Sequence, residues 1–509
     1  MGRQSLVIAA AGALWACGGG GSSATAGGAD AGGADGSPAA TDGGPEANAG
    51  DAAREGGADG GWAFASTTTV SALTSNNTSA SSSWTGSVVI GGKTVNGYWD
   101  EPPGNVSKIP VSVLLPGHGV PVWVETQNWW GTSGHIDNGT KSNTSAQIAG
   151  QVADQISRGF AGQAVDWYGK GTTADGALPY IKQNAEASGG KYQFAVMIDK
   201  GYFQTCGETV ACLNSALSYL ASGYTSSPAY LKDSSGHPLV FFFVNQYYPT
   251  EYAILSATGI SYQNTKFVMY EPNGFPGSSP PQTDGEYAWV NPADGHPNDL
   301  GFADLTGFLS MAANNQGSVI WSAAWKGFDD NLSSWGLNRV IDQQCGNVWL
   351  QTFHHTGSFG GSSSYMGNLE YLGLGKRLDA IMIDTWDDYE EGSEIETGID
   401  NCLSSVGVTL TGSMLSWSPT WGTDPMTPTI AGDESTLYEY TVYLARQGGT
   451  ALMRIADVPC ASGTCGHSLD VSGYGITGGP YLFYVQAVGQ PSVKNTLGGP
   501  TSATYGTGG

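Results

Sequence analysis

The chain has 509 residues, 40% of them hydrophobic and 12% charged, with 44 acidic against 19 basic side chains and a net charge of −25. That length is too great for one ordinary domain, and the acidity repels nucleic acid and anionic lipid surfaces, which sets both aside as partners. What stands out is 16 Trp, 24 Tyr and 15 Phe, flat apolar rings that build cores and also suit the faces of sugar rings.

Residues 1–17 read as a targeting segment: Arg3 gives a positive start, Leu6 to Trp15 an apolar stretch, and Leu14-Trp-Ala-Cys17 a processing site. This resembles a bacterial lipoprotein signal, which implies lipidation of Cys17, export, and a place at the cell surface or outer membrane with release as the alternative. Residues 18–61 are almost all Gly, Ala, Asp and Ser with no aromatic, so they bury too little to offset ordering entropy and read as a disordered tether. Seven acids and one Arg give the tether a net charge of −6, so with Arg3 also outside it the remainder carries −20. No other apolar run approaches 18 residues, so the lipid on Cys17 is the only membrane contact expected.

Residues 62–103 are Ser/Thr/Asn-rich with strand-like pieces such as Gly86–Ile90, and read as a β-rich extension. From 104 to 402 short apolar runs alternate with helical stretches. Strands are expected at Val120–Thr126, Gly162–Asp166, Phe194–Asp199, Leu239–Asn245, Phe267–Glu271, Tyr287–Asn291, Val319–Ala324 and Ala380–Asp384. Helices are expected at Ser145–Arg158 and Leu213–Ser222, and over Leu337–His354, whose second half reads equally as strand. Eight strands alternating with helices predict an α/β fold, a (β/α)8 TIM-type barrel. Four of these strands end in a carboxylate, Asp166, Asp199, Glu271 and Asp384, which suggests a shared acidic mouth. Residues 403–509 alternate apolar side chains at Tyr438, Tyr440, Val442 and Leu444, and again at Tyr481, Phe483, Val485 and Ala487. That pattern predicts a small C-terminal β-sandwich, resembling fibronectin type III modules, which binds carbohydrate or braces the barrel.

Seven cysteines suit an exported chain. With Cys17 lipidated, Cys206/Cys212 and Cys460/Cys465 are spaced to staple local loops, leaving Cys345/Cys402 as a long-range pair. There is no C-x-x-C, H-E-x-x-H, EF-hand spacing or G-x-S-x-G, and Gly86 to Thr94 is one residue too long for a phosphate loop. No metal and no cofactor are therefore expected.

The most informative stretch runs from Ala380 to Glu396, an apolar strand ending in Asp384, Asp387, Asp388, Glu390, Glu391, Glu394 and Glu396, interleaved with Trp386 and Tyr389. Acids beyond the C-terminal end of a barrel strand lie where such enzymes keep their chemistry. Mutual repulsion should leave at least one protonated near neutral pH, and a protonated acid beside an ionised one is what glycosidic cleavage requires. If the segment turns helically, Asp388 and Glu391 share a side, and Trp386 with Tyr389 would form an apolar wall. The competing reading is an acidic helix N-terminus.

Asp387-Asp-Tyr-Glu-Glu-Gly-Ser-Glu-Ile-Glu396 resembles the signature of glycoside hydrolase family 71, the α-1,3-glucanases or mutanases, and also that of family 99, the endo-α-mannosidases and mannanases. Gly134–Gly139, Gln151–Gly159 and Val165–Gly169 resemble the first barrel unit of bacterial relatives. The resemblance covers about 104–400. It implies Asp388 and Glu391 as the catalytic carboxylates, with Asp388 as base and Glu391 as acid in an inverting reaction if family 71 is the guide, and retention through the sugar 2-OH if family 99 is. Asp387 stands where both families carry Asn; a charge there would disfavour ionising its neighbours. Strand-end position and residue type add Asp166, Trp167, Tyr168, Asp199, Gln246, Glu271, Trp289, Trp325 and Trp386 as candidates for gripping the sugar. The expected function is an exported glycosidase for an α-linked polysaccharide, α-1,3-glucan first and α-mannan second. The alternative is a non-catalytic carbohydrate-binding lipoprotein on a degenerate barrel.

Overall fold

The computed structural model describes residues 105–130, 135, 144–245, 248–270, 283–292, 300–333, 335–354, 365–446, 452–461, 463–472 and 480–504, and the backbone of 87–90 and 93–96. The targeting segment with Cys17, the tether, Gln246 and Glu271 lie outside the described residues. In the expected β-rich extension, Ser87–Ile90 and Lys93–Asn96 pair as an antiparallel hairpin.

Eight parallel strands close into a barrel: β1 (Val122–Thr126), β2 (Gly162–Trp167), β3 (Gln193–Asp199), β4 (Leu239–Phe243), β5 (Lys266–Tyr270), β6 (Gly285–Tyr287), β7 (Val319–Ala324) and β8 (Ala380–Ile383), with β8 returning to pair with β1. Outside them lie α1 (Ser145–Ser157), α2 (Thr173–Ala187), α3 (Lys200–Cys206), α4 (Val210–Gly223), α5 (Pro249–Leu255), α6 (Phe302–Ala312), α7 (Asn347–Phe353) and α8 (Asn368–Gly373). The starts of α1 to α4 follow side-chain caps that absorb otherwise unpaired N–H groups. Thr144 accepts from the Gln147 N–H before α1, and Thr209 from the Cys212 N–H before α4, so α4 starts three residues ahead of the expected Leu213.

The parallel strands are buried on both faces, which is why they read as continuous apolar runs. Inward side chains fill the barrel in layers: Trp123, Phe241 and Trp321 meet with ring centroids 5.1 and 4.7 Å apart, and the Tyr287 hydroxyl above them donates to the Phe242 carbonyl at 3.2 Å. Gly162 makes room for this packing, since a Cβ there would sit 2.7 Å from the Trp123 ring.

Two expectations fail for identifiable reasons. The sixth strand covers Gly285–Tyr287 rather than Tyr287–Asn291, because beyond Ala288 the backbone leaves the ladder: the Val290 N–H is taken by the Asp384 carboxylate at 2.7 Å. Leu337–His354 is not one long helix. Asp330 accepts from the Leu337 and Arg339 N–H groups, Val340–Ile341 pairs with Phe328–Asp329, and after a 3-10 turn at Gln344–Gly346 α-helix begins only at Asn347.

The C-terminal region contains β9 (Leu403–Thr411), β10 (Met414–Trp421), β11 (Leu437–Arg446), β12 (Leu452–Ala461), β13 (Thr464–Cys465), β14 (Ser468–Asp470), β15 (Pro480–Gly489) and β16 (Thr496–Thr504). They form two antiparallel sheets, β9-β10-β14 and β13-β12-β11-β15-β16, around Leu415, Trp417, Tyr440, Val442, Leu444, Phe483 and Val485. Tyr438 falls out of the expected alternation because the register shifts between Leu437 and Glu439, and Leu437 takes the core position. The three expected cysteine pairs stand at disulfide separation, with Cα–Cα distances of 5.8 Å for Cys206/Cys212, 5.2 Å for Cys345/Cys402 and 4.1 Å for Cys460/Cys465. Among the described residues no helix is long and apolar enough to cross a membrane.

Candidate active site

A cavity of about 730 Å³ opens at the C-terminal ends of the barrel strands. Its acidic lining is Glu125, Asp166, Asp199, Asp388 and Glu391, and its cations are Lys200 and Arg339. Strand parity explains the floor: Trp123 points into the barrel, so Glu125 two residues later does too, as Asp166 follows Ala164 and Asp199 follows Met197.

The loop after β8 sorts the seven acidic side chains. Asp384 accepts from the Val290 N–H at 2.7 Å. Asp387 accepts from the Gln127 N–H at 2.7 Å and the Gln151 amide at 3.4 Å. Glu390 meets His135 Nδ1 at 3.0 Å, Glu394 pairs with Lys326 at 2.9 Å, and Glu396 accepts from the Tyr389 hydroxyl. Of the seven, only Asp388 and Glu391 line the cavity.

They share that side through a tight turn and not through a helix. Asp388 Oδ1 accepts the N–H groups of Glu390 and Glu391 at 3.0 and 2.9 Å, while its own N–H donates to Thr385 Oγ1 at 2.8 Å. Gly392 closes the turn at φ 58°, where a Cβ would press on the Asp329 backbone at 3.3 Å. The Asp329 N–H donates to the Glu391 carbonyl at 2.7 Å. Glu391 Oε1 accepts from Trp335 Nε1 at 3.0 Å.

Burial dominates the electrostatics. It pushes the Asp388 carboxyl well above the usual range, and repulsion from Glu391 adds to this against the pull of the Glu391 N–H. Burial also raises Glu391, opposed by the Trp335 donor and by Arg339 and Lys200. Asp166 is raised by burial and by Asp199; Asp199, which caps α3 by accepting the Gly201 N–H at 2.6 Å, is pushed up to about 6. The group with the least support is Glu125, fully buried, with neither oxygen hydrogen-bonded, raised by burial and then by Asp166, Asp387, Asp388 and Asp384. The arrangement favours the protonated forms of its carboxyls over what water would allow, and so suits both giving and taking protons.

Two aromatic groups flank these acids. Trp129 stacks on His135 with centroids 4.3 Å apart and meets Tyr168 at 5.3 Å and Trp335 at 5.8 Å. Phe243 stacks on Tyr270 at 5.0 Å and abuts Trp289 at 5.2 Å.

Asp166, Tyr168, Asp199 and Trp289 of the candidate sugar-gripping residues line the cavity. Trp167, Trp325 and Trp386 do not, which corrects their expected place. Trp167 follows the inward Asp166, so it faces the helices, donating to Asp175 at 3.0 Å and stacking on Tyr219. Trp325 is buried and donates to the Leu300 carbonyl at 3.1 Å. Trp386 is buried beneath Arg158, whose guanidinium lies 4.7 Å from its ring, so it forms no wall beside Asp388. Glu125, Trp129, Lys200, Trp335 and Arg339 were not among the candidates. The alternation of Val-Trp-Val-Glu in β1 signals Glu125, whereas Trp335 lies in a loop with no periodicity. Among the described residues the one cluster of three potential metal ligands is Cys345, Cys402 and Asp424, away from this cavity and with its two cysteines paired.

No family model matches the sequence, and no curated protein matches it significantly. Solved structures similar to the chain include a family 99 endo-α-mannosidase from Bacteroides thetaiotaomicron, at 16% identity and TM-score 0.40, over 55% of this chain and 86% of that one. A glycoside hydrolase is similar at 10% identity and TM-score 0.29, over 74% of this chain and 92% of that one. A family 5 glycoside hydrolase from Bacteroides vulgatus is similar at 10% identity and TM-score 0.28, over 74% of this chain and 88% of that one.

Proposed function

We propose that this protein is an exported glycoside hydrolase that cleaves an α-linked polysaccharide with Asp388 and Glu391. The observation that carries the reading is the sorting of the acidic loop: five of its seven carboxyls are bound to protein groups and do not line the cavity, and the two that line it are the pair that the signature singles out. Hydrolysis needs one carboxyl to give a proton to the departing oxygen as the C1–O bond breaks, and a second to take a proton from the water whose oxygen bonds to C1. Glu391 is assigned the first role and Asp388 the second, following the resemblance to family 71. The same resemblance, through Asp388-Tyr389, puts α-1,3-glucan first; the tail Gly392 to Glu396 puts α-mannan second.

Asp387, which argued for a degenerate barrel, bonds to Gln127 and Gln151 and does not line the cavity, yet its charge adds to the upward shift of Asp388 and of Glu125. The test is release of reducing ends from a panel of α-glucans and α-mannans by the wild type, Asp388→Asn and Glu391→Gln. Hydrolysis lost by at least about 10³-fold in both variants with an unchanged melting temperature is expected. Near-wild-type turnover by Glu391→Gln removes the assignment. Cleavage of the corresponding α-glycosyl fluoride, whose leaving group needs little protonation, should survive in Glu391→Gln and be lost in Asp388→Asn.

A further inference from the structure

Trp335 stands apart from the other aromatics of the cavity. It is 41% exposed, whereas Trp289 on the opposite group is 9% exposed and the barrel tryptophans are buried. Yet it is not loose: its indole N–H is fixed on Glu391 Oε1 at 3.0 Å, and its ring meets Trp129 edge-on at 5.8 Å and His135 at 6.2 Å. The segment that carries it is anchored at both ends, by the ladder between Phe328–Asp329 and Val340–Ile341 and by Asp330, which accepts from the Leu337 and Arg339 N–H groups. Burying an exposed indole is favourable, so a rigid, half-exposed ring at a cavity mouth is a surface awaiting a flat partner.

We propose that Trp335 is the stacking platform for the sugar on the departing side of the cleaved bond, the residue whose oxygen receives the proton from Glu391. This rests on the assignment of Glu391 as the acid. A group that protonates the leaving oxygen must touch it, so the sugar bearing that oxygen lies against whatever surrounds Glu391 Oε1, and the exposed part of those surroundings is the Trp335 ring. Leu337, 71% exposed and also lining the cavity, extends the apolar surface outward. The cavity therefore takes a chain that continues past the cleaved bond, and not only a terminal sugar with a small leaving group.

The experiment compares two substrates on the full chain, an α-1,3-linked glucotetraose and the α-fluoride of the matching triose, or the α-mannose equivalents where the panel selects mannan. In Trp335→Ala the ratio of kcat/KM for the tetraose to that for the fluoride should fall about 30-fold, because fluoride leaves without touching the platform. Trp335→Phe keeps a flat ring but loses the indole N–H, and should lose no more than about 5-fold of that ratio. If Phe and Ala fall equally, the residue acts only by holding Glu391 and the platform is overturned. If neither changes the ratio, or both substrates fall together in Ala, it is overturned as well. A wild type that cleaves neither substrate overturns the glycosidase reading itself, an outcome distinct from the others.

Discussion

Replacing Arg158 by Met tests how the acidic loop is held. Arg158 is fully buried at the end of α1. It donates to Asp154 through Nε at 3.3 Å and Nη2 at 2.5 Å, and to the carbonyls of Ile395 and Glu396 at 2.8 Å each, with Trp386 against its face. Removing one partner of a buried ion pair costs about 3–5 kcal/mol, and each orphaned buried acceptor about 1–3 kcal/mol. These do not add fully. Lys108 also contacts Asp154, but burial and the neighbouring Arg158 charge push the pKa of its ammonium down to about 6, and its side chain is 40% exposed to screening solvent, so it offsets only part of the loss. The expected destabilisation of Arg158→Met is about 3–5 kcal/mol, read as a lower urea midpoint by tryptophan fluorescence. Lys108→Met alone should cost about 0.5 kcal/mol, and the double variant more than the sum, because without the repulsion of Arg158 the Lys108 ammonium is the cation left to Asp154, and the double variant removes that too. A loss below about 1 kcal/mol for Arg158→Met would refute the argument.

Stability should fall with rising pH. Glu125, Asp166, Asp384, Asp387 and Asp388 are all raised above their unfolded values by burial. The native state therefore holds more protons than the unfolded chain between roughly pH 4 and the raised values; the stabilisation is full below that window and is lost as pH climbs through it, by up to about 1.4 kcal/mol per group per pH unit. A lower urea midpoint at pH 8 than at pH 5 is expected, with a smaller fall in Asp384→Asn; equal midpoints would contradict it. Asp387→Asn keeps an acceptor for the Gln127 N–H and lets the Gln151 amide reverse, so its stability at pH 5 should stay within about 1 kcal/mol of wild type, and at pH 8 it should be the more stable of the two by urea titration. Trp335→Phe removes a donor that favours the ionised form of Glu391. The pKa of that acid should rise, moving the alkaline limb of the kcat/KM profile up by about 0.5–1 pH unit; an unmoved limb would argue against Glu391 as the proton donor.

Much of the barrel was legible because parallel strands buried on both faces leave unbroken apolar runs; Val319–Ala324 has the bounds expected of it. Tyr287–Asn291 was misjudged because a distant side chain, Asp384, takes the N–H that would have continued the ladder, and no local pattern carries that information. In the site, Asp388 and Glu391 were singled out by the resemblance, while the helical turn that their spacing assumed is absent; the turn that does place them was not readable, since it depends on Thr385, Gly392 and the Asp329 backbone. Trp167 was recoverable from parity, because a strand that points Asp166 inward must point its neighbour out. Trp386 and Trp325 were not, as loop residues have no parity. Trp335 gave no signal at all.

The segment 490–495 between β15 and β16 stitches together both ends of the barrel. Val493 accepts from the Ser107 N–H at 2.9 Å and bridges Ile399, Lys494 bridges Val106, and the Pro491 carbonyl receives the Trp349 indole at 2.9 Å. The Cys345/Cys402 pair fastens the same corner. A gene shortened at codon 403 would thus encode a hoop without its buckle: the first and last turns of the barrel would each lose the clasp that keeps them side by side, so the barrel cannot be treated as a cassette to lift out and move.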